Sequence, residues 1–372
     1  MTPQPRHNPA VPEVDESPVP LGLREQPEDH AASSPTPTPV VRRHSEPELN
    51  GRAGPTRRAT ASDFTSERML RPQADPAREG WRRLLFRLTG GAINLGPSAA
   101  EVHERELVAR VKNPVAGCRR IAIVSRKGGV GKTTTTLMLG HTFASYRGDR
   151  VIALDGNPDA GSLAYRVRRE TTNTIMSLLA HRQEIARYAD IRAYTSQAPT
   201  RLEVVAADDD PRITYALREQ DFHTAVELLE VHYNLVCMDT GTGVLESAAK
   251  GILQLADQIV VVTAASLDSA RTASSTLDWL EQNSHADLVA GAVAVINAVR
   301  PKTQVELDRV EEHFGQRCRA TVRIPWDPHL EAGAESSLER LKPPARNAYL
   351  ELAAAVADGF SDPTAAIGGI SR

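Results

Sequence analysis

The chain has 372 residues, 24% of them charged and 41% hydrophobic, with a formal net charge of −3. That length allows one large domain or two ordinary ones, and so balanced a charge excludes a globally basic nucleic-acid binder. No apolar run approaches the eighteen or so residues of a membrane span, no signal-peptide pattern opens the chain, and three widely spaced cysteines fit reduced thiols rather than a metal or iron–sulfur cluster, so a cytoplasmic protein without a transmembrane segment is expected.

The first 76 residues hold 14 of the 25 prolines, and Phe64 is the one aromatic residue among them. Such a composition cannot bury enough apolar surface to offset chain entropy, which predicts a disordered, Pro-rich tail over 1–77. Its nine arginines against eleven acidic residues make it a neutral tether rather than a polybasic arm. Docking on a proline-reading partner is the second use such a segment allows.

Residues 78–114 are predicted to form a basic amphipathic helix and a linker. In Trp81-Arg82-Arg83-Leu84-Leu85-Phe86-Arg87-Leu88 the positions Trp81, Leu84, Leu85 and Leu88 repeat at helical spacing with arginines between them. Packing on its own domain or docking on a partner is favoured over membrane contact, because about two and a half turns anchor weakly.

Residues 115–360 form the predicted domain, and 361–372 a flexible C-terminal tail. Short Val- and Ile-rich runs alternate with helical patterns, the signature of a parallel sheet covered on both faces. Strands are expected at Ile121–Val124, Val151–Leu154, Leu202–Ala206, Asn234–Met238, Gln258–Thr263, Ala292–Ile296 and Ala320–Ile324. Helices are expected at 132–146, 221–232, 269–282, 303–314 and 343–357, with Asp221 and Thr303 as N-caps. The fold class is therefore α/β, a doubly wound, mostly parallel sheet of the P-loop NTPase type.

The chemistry concentrates behind the first strand, at Arg126-Lys127-Gly128-Gly129-Val130-Gly131-Lys132-Thr133-Thr134. Between a strand and a helix N-terminus, such glycines let backbone N–H groups converge on an anion. Lys132 is placed to reach the β- and γ-phosphates, and the Thr133 hydroxyl to ligate Mg2+. The ordinary phosphate-loop pattern has glycine where this chain has Arg126, and an extra lysine, Lys127, precedes Gly128. Ligands in such sheets sit past the carboxyl ends of the strands, which brings in Asp155, Asp239 with Gly241, and Asn297. Asp239 suits the Mg2+ shell and Gly241 close approach to the γ-phosphate. From the residues alone Asn297 reads as a turn residue satisfying its own backbone.

The run Lys-Gly-Gly-Val-Gly-Lys-Thr-Thr resembles the deviant phosphate loop of the ParA/MinD family of ATPases. The resemblance covers about 115–358 and implies ATP and Mg2+ as cofactors and a homodimer formed on ATP binding. It makes Lys127 the lysine that crosses the dimer interface, and Lys127, Lys132, Asp155 and Asp239 the catalytic set. Asp155 and Pro158 match the family's first switch, but Asn157 stands where many members have a carboxylate that places water. An amide is no general base, so slow hydrolysis is expected. The resemblance also flanks adenine with Asn297 and Pro325. The order of the Pro-rich tail, the Trp-Arg-Arg segment, Leu95-Gly96-Pro97 and the Asp-x-Asn-Pro-Asp switch is similar to MinD-like ATPases of actinobacterial type VII secretion.

That implies an accessory or regulatory ATPase with a secretion-system or other protein partner, touching membranes only through partners. The alternatives are a ParA-like DNA-partitioning ATPase, for which Arg82, Arg83, Arg87, Arg166, Arg168 and Arg169 are candidate contacts, or an ATP-bound scaffold with negligible turnover. DNA is not favoured, since the chain is slightly acidic overall.

Overall fold

The computed structural model describes residue 77 and residues 80–156, 161–207, 218–241 and 247–361. The sequence-based expectations for the Pro-rich tail, the C-terminal tail and the switch residues Asn157, Pro158 and Asp159 lie outside the described residues.

Eight strands form one sheet: β1 Arg119–Val124, β2 Val151–Gly156, β3 Ser196–Gln197, β4 Glu203–Val205, β5 Leu235–Thr240, β6 Gln258–Ala264, β7 Val293–Val299 and β8 Ala320–Pro325. Their order is β3-β4-β2-β5-β1-β6-β7-β8. Every pairing is parallel except that of β3 with β4.

Why these runs are strands follows from the two cores. Within β1, Ile121 and Ile123 face one hydrophobic cluster, while Ala122 and Val124 face the other. Within β6, Val260 and Val262 alternate in the same way with Ile259 and Val261. A strand buried on both faces has no polar positions, so it reads as a continuous apolar run. Helices Lys132–Tyr146 and Pro343–Ala357 contribute Leu137, Phe143, Leu352 and Val356 to the first cluster. Helices Glu219–Glu230 and Leu267–Gln282 contribute Phe222, Val226 and Leu277 to the second.

Two expected caps move. The helix expected from 221 begins at Glu219, after Arg218, and Asp221 reaches back instead, its carboxylate accepting from Arg218 N at 2.9 Å. The helix expected from 303 begins at Leu307 after Glu306, and Thr303 Oγ1 accepts from Val305 N at 3.3 Å in the preceding turn. Both polar side chains satisfy helix-entry backbone, three residues from the expected position.

Upstream of β1 the structure separates two helices. Ala99–Val111, capped by Ser98, buries Leu107 and Val111 in the first cluster, so it belongs to the core rather than to a linker. Gly80–Leu88 buries none of its residues, and Trp81, Leu84 and Leu88 are largely exposed. Of the two expected roles, packing on its own domain covers only part of the apolar face, since Leu85 and Phe86 are half-buried while Trp81, Leu84 and Leu88 are exposed. Its Arg82 donates to Pro97 O at 3.3 Å.

A buried imidazole sits mid-helix in Lys132–Tyr146. His141 Nδ1 lies 2.7 Å from Thr200 Oγ1, and Nε2 has no partner. Burial pushes the ring down from 6.5 to about 4. The unfolded chain then takes this proton near its ordinary value and the folded chain well below it, so stability falls as pH drops through that window. Between about pH 7 and about pH 5 this group should remove about 2 kcal/mol. His141→Gln should flatten that part of the urea-midpoint profile; an unaltered profile contradicts the assignment.

Candidate phosphate cradle

The order of strands places β1 between β5 and β6. The chain leaves β1 toward β2 on one side and leaves β6 toward β7 on the other, opening a crevice at their carboxyl ends, where open α/β sheets bind ligands. A cavity of about 500 Å³ lies there, lined by the loop Gly129–Thr134, by Asp239–Gly241, by Asn297 and by Pro325–Asp327. The residues expected from sequence at four strand ends thus meet in one place, with Lys127, Gly128 and Asp155 outside its lining.

The loop owes its shape to two left-handed glycines, Gly129 at φ 71° and Gly131 at φ 95°. L side chains rarely adopt such angles, and a Cβ on Gly131 would fall 2.0 Å from Asn297 Nδ2. That amide nitrogen donates to Val130 O at 2.8 Å. Asn297, expected as a base contact or a self-satisfied turn, therefore braces the loop from the end of β7.

Gly131 is also the N-cap of helix Lys132–Tyr146, and no side chain caps that end. The first-turn N–H groups have no intrahelical partners and face an anion site with the positive end of the helix dipole. Lys132 is buried, and no carboxylate lies within ion-pair distance of it among the described residues. Burial holds its ammonium below the usual lysine range, against a smaller upward pull from Asp239.

Asp155 and Asp239 are register partners on adjacent strands β2 and β5, and both are buried. Burial, then the neighbouring Asp155, pushes Asp239 up to about 7, while Thr133, Lys132 and Thr136 pull the other way. Thr136 Oγ1 lies 3.4 Å from Asp239 Oδ1. Two buried carboxylates beside a threonine hydroxyl form a hard-oxygen donor set suited to Mg2+, which would relieve their mutual repulsion. Asp155 also braces the chain beyond β2, its Oδ2 accepting from Leu163 N at 3.0 Å, and a Cβ on Gly161 would lie 2.0 Å from that oxygen. Gly241 is buried at the cavity edge, just past Thr240, whose hydroxyl donates to Ile123 O at 2.8 Å.

Lys127 points elsewhere. Its ammonium pairs with Asp268 in the first turn of helix Leu267–Gln282, an ion pair open to solvent. Pro325 lines the far side of the cavity with Trp326, over whose ring the Arg300 guanidinium sits 4.8 Å from the centroid. Arg300 is itself held by Glu331 at 2.6 Å.

Four participants have no local sequence signal. Arg166, counted in sequence among candidate DNA contacts, instead lines the cavity and donates from Nη1 to Thr134 Oγ1 at 2.7 Å. Asp268 lies 141 residues from Lys127 in sequence. Arg300 and Trp326 meet only because β7 and β8 are neighbours.

Residues 121–339 match the family described as CobQ/CobB/MinD/ParA nucleotide binding domain. Over 287 residues the chain is 42% identical to the ESX-1 secretion-associated protein EspI of Mycobacterium tuberculosis, covering 76% of this chain and 43% of that protein. It thus spans less than half the length of this relative. It is 26% identical over 196 residues to the septum site-determining protein MinD of Synechocystis, covering 52% of this chain and 68% of that one. Among solved structures it resembles a ParA family ATPase from Chlorobium tepidum, with a TM-score of 0.55, 16% identity and coverage of 64% of this chain and 98% of the other. The cell division ATPase MinD of Pyrococcus furiosus gives 0.53 and 19%, with coverage of 64% and 98%. At these identities the structural likeness shows the fold.

Proposed function

Because the chain belongs to the CobQ/CobB/MinD/ParA nucleotide-binding domain family, we propose that it is an ATP-dependent switch: it binds ATP with Mg2+, dimerises around it and hydrolyses it slowly. The observation that carries this is Lys132, a buried ammonium with no carboxylate in ion-pair distance among the described residues, at the mouth of an uncapped helix inside the cavity. A cation held at that cost is built to meet an anion.

Thr133 and Asp239 would hold Mg2+, whose charge would offset that of the phosphates. Backbone N–H groups from Gly129 to Thr134 would cradle the phosphates, with Lys132 on the β- and γ-positions. Pro325 borders the base side. Asp155 fixes the chain that follows the first switch, and Asn157 in that switch supports slow turnover, as an amide takes no proton from water.

The switch output is a population shift, in which the ATP dimer presents a surface that the free subunit lacks. Similarity to a protein named as ESX-1 secretion-associated supports an accessory role in type VII secretion, at the cytoplasmic side, with a secretion component as partner. Among the described residues no helix is long and apolar enough to cross a membrane. The DNA-partitioning alternative loses one of its candidate contacts, since Arg166 is turned into the cavity.

The test is titration calorimetry of the full chain with ATP and magnesium, followed by light scattering with a non-hydrolysable analogue. Binding heat and an analogue-dependent doubling of mass are expected. A chain that gives no heat ends the proposal, and one that binds but stays monomeric ends its switch half.

A further inference from the structure

Arg166 stands in a short turn, Ala164–Arg166, whose backbone is fixed at two points. Asp155 accepts from Leu163 N on one side, and Ser336 N donates to Arg166 O at 2.8 Å on the other. The side chain therefore leaves a rigid base. Its Nη1 donates to Thr134 Oγ1 at 2.7 Å, and Nη2 lies 4.0 Å from where a Cβ on Gly333 would be. The guanidinium thus spans the cavity from the start of the loop helix to the segment after β8.

Its partners are too few for a structural arginine. Several other buried or half-buried arginines are matched by carboxylates, Arg120 by Asp257, Arg147 by Asp149 and Arg317 by Asp278 and Glu281, and the buried Arg119 is held by the carbonyls of Gly359 and Phe360. Arg166 has no carboxylate within ion-pair distance among the described residues, and Thr134 takes one of its five N–H donors. Burial holds the group below the usual arginine range, with weaker upward pulls from Asp239 and Tyr349. A planar fork with unused donors, facing a cavity, matches a phosphate in geometry and charge.

Position selects the phosphate. Lys132 serves the β- and γ-positions and Thr133 the metal, so Thr134 is the next step along the helix. The Gly333 side of the cavity is continuous with Pro325 and Trp326, the side given to the base. Resting on the nucleotide reading above, we propose that Arg166 is a second cationic ligand of the bound nucleotide, held by Thr134 and gripping the α-phosphate.

The α-phosphate is common to ATP and ADP, so the loss on substitution should be the same for both. Titration calorimetry of the full chain should show Arg166→Gln weakening MgATP and MgADP by one common factor of about ten- to hundred-fold. Arg166→Lys should recover part of that loss, because it restores charge without the fork. The thermal transition of each variant without nucleotide should stay near that of the natural chain; if Arg166→Gln does not fold, Arg166→Lys carries the test, with an expected few-fold loss on both nucleotides. Unchanged affinities overturn the proposal, and so does a loss confined to ATP, which would place the guanidinium at the γ-phosphate. If the natural chain binds neither nucleotide, the nucleotide reading has failed; if it binds and the Arg166 variants bind equally well, only this assignment has.

Discussion

Lys132→Ala should lose about thirty-fold or more in ATP affinity while folding as well as the natural chain. Removing one partner of a buried, hydrogen-bonded charge pair costs about 2–5 kcal/mol in binding, and each 1.4 kcal/mol is tenfold. The unliganded protein should feel the change differently. Burial depresses the Lys132 ammonium below its unfolded value, so at neutral pH its charged form opposes folding rather than helping it. The counterweight is Asp239, which Lys132 pulls downward and which would be pushed further up without it. A thermal transition at or slightly above the natural one, beside vanished binding heat, is the expected pair of results. Micromolar ATP affinity in the variant would remove the cradle from the account.

How much of this was legible in the residues depends on how far apart the cooperating groups lie. The parallel strands were, because burial on both faces leaves uninterrupted runs such as Ile121–Val124 and Gln258–Thr263. The two-residue β3 was not, since an edge pairing that short leaves no periodicity to see. Helix 132–146 was, from its loop and apolar content, whereas the caps at Asp221 and Thr303 slipped because a side chain that reaches back looks, in sequence, like one that starts the helix.

The site divides along the same line. Gly129, Gly131, Lys132 and Thr133 are contiguous, and their order carries their chemistry. Asp239 was found because strand ends are where a sheet delivers side chains to ligand, and Pro325 through the family resemblance. The Asn297 bond to Val130 O closes 167 residues of sequence, and that of Arg166 to Thr134 closes 32. Neither has a local pattern, as each is a property of which strands and turns become neighbours. The glycine at 161 is the same kind of residue, required by an Asp155 carboxylate that only the fold brings near.

Lys127→Ala should separate binding from assembly. The side chain is outside the lining of the cavity and pairs with exposed Asp268, so its loss should change ATP affinity by no more than a few-fold. Exposed ion pairs of this kind are weak and screened by salt, so Asp268 does not hold the ammonium against a phosphate offered by a second subunit. In the proposed dimer that exchange would take Lys127 from one exposed carboxylate to the phosphates of the facing subunit's nucleotide. The variant should therefore bind ATP and remain monomeric at concentrations where the natural chain dimerises with a non-hydrolysable analogue, as read by light scattering. Its residual turnover should fall with the dimer, since the trans contact would be missing from both sites at once. A Lys127→Ala chain that dimerises normally assigns the lysine to its surface pair alone. One that loses ATP binding as Lys132→Ala does moves it from the interface into its own cradle.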